Sequence, residues 1–154
     1  MNITYSKTKY HAQQTLSHTF KTDIDTLFYF LSTNEGIQQW FPELYFDNDK
    51  LYFHLENQAP IPMHISVYRK PTQLKFEWAT GTVEMTLSSI SSIKTALCFH
   101  ESLPKTFEHL GMDFAGWQYK IDALKMLIEL GHMPNQSDYN FKAQATQIMN
   151  TLNL

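Results

Sequence analysis

Residues Gly111–Leu130, GMDFAGWQYKIDALKMLIEL, constrain the fold more than any other stretch of the chain. Phe114, Trp117, Ile121, Leu124 and Ile128 recur at intervals of three or four, so a helical turn gathers them onto one stripe. Leu127 and Leu130 widen that stripe. Gln118, Lys120, Asp122, Lys125 and Glu129 fall on the other side, with Lys125 spaced to meet both Asp122 and Glu129. Gly131 suits a left-handed helix end and Pro134 bars continuation, which predicts a stop near Leu130. Gly116, beside Trp117, either admits a close neighbour or weakens the helix by up to about 1 kcal/mol. A stripe this long must be buried against something large.

The preceding residues supply it. From Leu44 onward the apolar period changes to two. Leu44–Phe46 and Leu51–Leu55 flank the turn Asp47-Asn48-Asp49-Lys50, a hairpin signal. Met63, Ile65 and Val67 alternate with His64, Ser66 and Tyr68. Leu74, Phe76 and Trp78 alternate with Lys75 and Glu77. Val83, Met85 and Leu87 alternate with Glu84, Thr86 and Ser88, and Leu97 and Phe99 oppose Cys98 and His100. Alternation of this kind gives each strand one buried and one wet face, as in an antiparallel sheet. The short connections, Lys70-Pro71-Thr72 and the one at Gly81 among them, predict a meander.

Upstream, residues 1–13 read as a lead-in and Thr15–Phe20 as a first strand carrying Leu16, His18 and Phe20 on one face. Thr22 or Asp23 caps a short helix with Ile24, Leu27, Phe28 and Leu31 buried, and Thr33 or Asn34 caps a second through Trp40. Beyond Pro134, Ser137 or Asp138 caps a last helix whose stripe is Phe141, Ala145, Ile148, Met149 and Leu152. It packs on the domain's outside or on a second copy.

At 154 residues the chain suits one domain, 1–134, with a helical extension, 135–154. A net charge of −3 and a single arginine, Arg69, argue against a nucleic-acid partner. The lone Cys98 excludes an internal disulfide and fits a reducing compartment. The polar N-terminus has no signal-peptide core and no window spans a membrane, so a cytoplasmic protein is expected, monomer or homodimer.

Three segments carry a family resemblance: FKTDIDTLFYFLSTNEGIQQWF (Phe20–Phe41), LKFEWATGTVEMTL (Leu74–Leu87) and GWQYKIDALKMLIELG (Gly116–Gly131). In this order they resemble the bacterial proteins related to the activator of heat-shock protein 90 ATPase. Those belong to the START-like (SRPBCC) superfamily, together with polyketide cyclases. The resemblance implies an α+β helix-grip fold: a curved antiparallel sheet of six or seven strands around the long C-terminal helix, with two short helices after strand one. It also implies a pocket between sheet and helix. Where the family often places His late in the last strand, Glu101 stands here. The tail from Asn135 lies outside the match.

If the grip leaves space, Trp40, Phe53, Phe76, Trp78, Met85, Phe99, Phe114, Trp117 and Ile121 line an apolar cavity. The alternative is a fully packed core. Counting by two from Leu97 and Phe99 points Glu101 inward, where it orients a polar group or acts as a base of raised pKa. The alternative for Glu101 is a strand end in solvent. The seven histidines show no ligand spacing, and His18 on an apolar face reads as a satisfied core histidine. With no phosphate loop and no nucleophile elbow, no catalytic residue, metal or cofactor is assigned. The expected function is binding of a small apolar or amphipathic molecule. The alternatives are a cyclase- or hydrolase-type enzyme using the same pocket, or a stress-related interaction module.

Overall fold

The computed structural model describes all 154 residues. Eight strands form one antiparallel sheet: β1 (Asn2–Lys7), β2 (His11–Phe20), β3 (Leu44–Asp47), β4 (Lys50–Phe53), β5 (Ile61–Arg69), β6 (Gln73–Trp78), β7 (Gly81–Ser91) and β8 (Lys94–Pro104). Their order across the sheet is β1-β2-β8-β7-β6-β5-β4-β3. The meander expected from Leu44 to Glu101 is present. The one non-sequential contact places β2 beside β8, with Leu16 opposite Phe99 and Gln14 opposite Glu101.

The strand count corrects the expected six or seven. The eighth strand, β1, lies in the segment read as a lead-in, and β2 begins at His11 rather than Thr15. The reason is positional. β1 is an edge strand that half-buries only Ile3 and Tyr5, so it needs little of the alternation that marks a central strand.

Between β2 and β3 lie α1 (Ile24–Ser32) and α2 (Asn34–Ile37). Asp23 caps α1 by accepting from the Thr26 N–H, and the Thr33 hydroxyl caps α2 by accepting from Gly36 N–H. After β8 comes α3 (Leu110–Leu130), closed by Gly131 at φ 80°. Its residues Phe114, Trp117, Ile121 and Leu124 are buried in the single large core, with Phe20, Phe28, Phe76 and Phe99 from the sheet and α1. Gln118, expected on the polar side, is buried as well, and Asp122 pairs with His18 rather than with Lys125. Lys125 meets Glu129 at 2.6 Å as expected.

The last helix, α4 (Phe141–Leu152), is capped by Asn140, not by Ser137 or Asp138, which sit in a 3₁₀ turn, Gln136–Asp138. It docks on α3 and β1 of its own chain and buries Ile148 and Leu152. Gly111 makes the approach feasible: a Cβ there would meet the Ala145 carbonyl oxygen at 2.9 Å.

Candidate functional site

The ends of β4 and β6, the loop before β3 and the first turns of α3 border a cleft of about 200 Å³. Apolar residues are at the strand ends because alternation carries Phe53 and Trp78 to the buried face of each last position. Helical spacing puts Asp113, Gly116, Trp117 and Lys120 on one side of α3, facing them. Phe41, Glu43 and Gln136 complete the walls. An adjoining cleft of about 290 Å³ shares Phe53, Trp78 and Asp113 and adds Ile61, Met63 and Phe107.

The rings form a cluster. Trp78 and Trp117 meet edge-to-face with centroids 4.9 Å apart, Phe41 lies 5.2 Å from Trp117, and Phe53 lies 5.6 Å from Trp78. A Cβ added to Gly116 would have nothing within 4 Å, so this glycine opens onto free space.

Some polar atoms here lack a protein partner. They are Glu43 Oε2 and the Trp117 indole nitrogen, whereas Asp113 Oδ1 and the neighbouring Glu101 Oε2 are satisfied by a proton shared between the two carboxyl groups. Native proteins leave few such groups, since each costs about 1–3 kcal/mol when buried and unsatisfied. Lys120 Nζ donates to the Trp40 carbonyl at 3.2 Å, lies 4.5 Å from the Phe41 ring centre and stands 4.0 Å from Glu43 Oε2. Burial weakens the hold of Lys120 on its proton, and Glu43 partly offsets this.

Glu101 is inward and fully buried. Gln14 Nε2 donates to Glu101 Oε1 at 2.8 Å, and Gln14 Oε1 accepts from Gln118 Nε2 at 3.0 Å. Gln118 in turn donates to Tyr5 Oη and accepts from Gln144 of α4. On its other side Glu101 bonds Asp113, whose Oδ2 accepts from the Trp78 indole N–H at 2.8 Å. Desolvation and the Asp113 charge raise the Glu101 carboxyl well above the ordinary glutamate range. Asp113 sits in the first turn of α3, where exposed backbone N–H groups favour negative charge. Glu101 therefore holds the proton of the pair. A hydrogen-bond chain thus runs from α4 through the core to the cleft wall.

Of the ten residues expected to line a cavity, Phe53, Trp78 and Trp117 border this cleft. Trp40, Phe76, Met85, Phe99, Phe114 and Ile121 are at most 1% exposed and border neither cleft, and Glu101 lies behind Asp113. Glu43, Asp113, Lys120 and Gln136 were not singled out from sequence. Asp113 had a signal: it stands four residues before Trp117, a carboxylate on the buried stripe. His18 is satisfied by Asp122 at 3.2 Å.

A curved antiparallel sheet gripping one long C-terminal helix, with two short helices after the strand that pairs with the last one, is the START-like helix-grip arrangement. No protein-family model matches the chain, and no curated protein does. Solved structures do. A conserved protein of unknown function from Enterococcus faecalis superposes with a TM-score of 0.90 at 22% identity, over 98% of this chain and 90% of that one. CalU16 from Micromonospora echinospora gives 0.73 at 18% identity, over 98% and 95%. An Aha1 protein from Colwellia psychrerythraea, solved as a dimer, gives 0.63 at 14% identity, over 76% and 97%. At such identities the likeness is one of fold. Coverage of 98% takes in α4, so the first two share the C-terminal segment. No helix is long and apolar enough to cross a membrane.

Proposed function

We propose that the protein binds a small amphipathic molecule in the cleft between α3 and the ends of β4 and β6. The observation that carries this is the meeting of aromatic walls with unpartnered polar atoms of Glu43 and Trp117. Recognition sites are mostly apolar with a few converging polar groups, and these atoms await partners that a ligand brings. The cleft lies below the roughly 300–1,000 Å³ usual for drug-sized ligands, which favours a small ligand over a lipid chain. Native mass spectrometry of the purified protein, beside a Gly116→Leu variant that fills the cleft, tests this. A bound mass present in the wild type and lost in the variant is expected. No binding by any small amphipathic compound that depends on Gly116 would reject it.

One observation favours a second reading, an enzyme of cyclase or hydrolase type. Glu101 holds a proton next to Asp113, and Asp113 faces the cleft. Asp113→Asn would then lose turnover even at saturating ligand. The proposal takes the protein to be cytoplasmic, in keeping with its exposed free Cys98. A homodimer has the support of the Colwellia fold relative alone, and light scattering tests it. Interaction as a co-chaperone-like module rests on the same likeness.

A further inference from the structure

We infer that the cleft selects an organic amine: a protonated amino group on a compact, largely aromatic body, with a hydroxyl or carbonyl oxygen as acceptor. This rests on the cleft being a binding site and specifies its ligand class.

Three features carry it. The first is the aromatic lining. Phe41, Phe53, Trp78 and Trp117 lie with neighbouring ring centroids 4.9–6.4 Å apart. Their π faces attract a cation, and the more so as water is displaced. The protein already uses one of these faces, since Lys120 Nζ sits 4.5 Å from the Phe41 ring centre. The second is the sign of the unmet hydrogen bonds. Glu43 Oε2 is a carboxylate oxygen that only accepts, and with Lys120 no nearer than 4.0 Å it requires a further donor. The Trp117 indole N–H only donates, its side chain is nearly fully buried, and it requires an acceptor. An amine bearing one further oxygen answers both. The third is charge. Among the residues lining the cleft, Glu43 and Asp113 are acidic and Lys120 alone is basic. The cleft is therefore one positive charge short of balance, and a carboxylate ligand would add to the deficit.

Size narrows the class. About 200 Å³ admits a single ring with a short side arm rather than a steroid or an acyl chain. Lys120 is fixed by the Trp40 carbonyl, so it stays as a wall and does not compete for the centre.

The test is isothermal titration of the full chain, at neutral pH and low salt, with three probes of one shape: tyramine, 4-(2-hydroxyethyl)phenol and 4-hydroxyphenylacetate. Tyramine is expected to bind at least tenfold more tightly than the neutral alcohol, and the carboxylate not at all. The preference should shrink with added salt. Asp113→Asn should remove most of the amine's advantage over the alcohol. Glu43→Gln provides the same readout should Asp113→Asn unfold. Gly116→Leu should abolish all binding. Equal affinity of alcohol and amine, both lost in Gly116→Leu, would overturn the amine class and leave the cleft as a binding site. Binding of the carboxylate in preference would overturn it as well. Absence of any Gly116-dependent binding would remove both proposals.

Discussion

Gln14 and Glu101 face each other across the β2–β8 pair, with the amide nitrogen donating to the carboxyl oxygen at 2.8 Å and neither side chain reached by solvent. They stand 87 positions apart in the chain, and their contact joins the first long strand to the last. It also anchors α3, because the same amide donates to the Phe114 carbonyl at 3.2 Å. Each further bond of Gln14, Gln118 and Gln144 satisfies a polar group that would otherwise be buried alone. Such a network holds elements in register only while every member stays paired.

Glu101 makes stability depend on pH. Its folded-state pKa is raised, first by desolvation and then by Asp113. The stabilising contribution is fully present below the unfolded glutamate pKa and is lost as pH rises toward the folded value. In that window the unfolded chain releases a proton that the folded chain keeps, so the limiting slope is about −1.4 kcal/mol per pH unit. Urea unfolding between pH 4 and pH 9 should show this decline. Glu101→Gln should flatten it, since its amide still bonds but does not ionise. An unchanged slope in the variant would show that Glu101 ionises alike in both states.

Trp117→Ala should cost about 3–5 kcal/mol, the usual range for deleting a large buried aromatic. The ring is 2% exposed and touches Phe41, Trp78 and Phe99 at centroid distances of 4.9–5.2 Å. Trp117→Phe should cost much less, because the indole N–H it removes bonds to no protein atom. Denaturant midpoints of the two variants check both statements, and a loss under about 1 kcal/mol for alanine would place the ring outside the packed core.

How far the fold could be read in advance follows from how each element is buried. Strands β5 to β8 each have one wet face, so alternation announced them. The stripe from Phe114 to Leu124 was equally plain because a full helix face lies against the sheet. β1 was missed because an edge strand with two half-buried residues leaves no strong period. The Asn140 cap was missed because Ser137, Asp138 and Asn140 offer the same capping chemistry. Packing decides among them, with Phe141 set against Tyr119 and Tyr139 at 5.4 and 4.5 Å. The site was half legible. Of the aromatic residues that wall the cleft, Phe53, Trp78 and Trp117 were visible as inward positions and Phe41 was not, while most other inward positions are packed in the core. The polar members were hidden because Glu43 and Lys120 sit where charges normally meet solvent. Only in three dimensions do they converge on one cleft.

Ile148→Ala tests the docking of α4. Ile148 is 1% exposed although the helix lies on the outside of the sheet and α3. Truncation should cost about 2–4 kcal/mol, as for other buried aliphatic residues. It should also loosen the Gln144–Gln118 bond that ties α4 to the core network. Hydrogen exchange should then show faster opening across Phe141–Leu152 with β7 and β8 still protected. Uniform destabilisation would mean that α4 unfolds only with the whole domain.

Gly116 separates stability from binding. A Cβ there meets no atom within 4 Å, and the residue lies in the interior of a helix. Gly116→Ala should therefore stabilise the protein by up to about 1 kcal/mol, the helix-propensity difference between the two residues. Gly116→Leu gains most of that propensity and extends its side chain into the cleft bordered by Phe41, Trp78 and Trp117. It should melt no lower than the wild type while losing ligand. Most substitutions at binding sites confuse loss of affinity with loss of fold, whereas here the two effects are expected to have opposite signs. Thermal melting and titration on the same samples read both. A Leu variant that is less stable than the wild type would mean that the space above Gly116 closes in solution, and that the cleft is narrower than its geometry here.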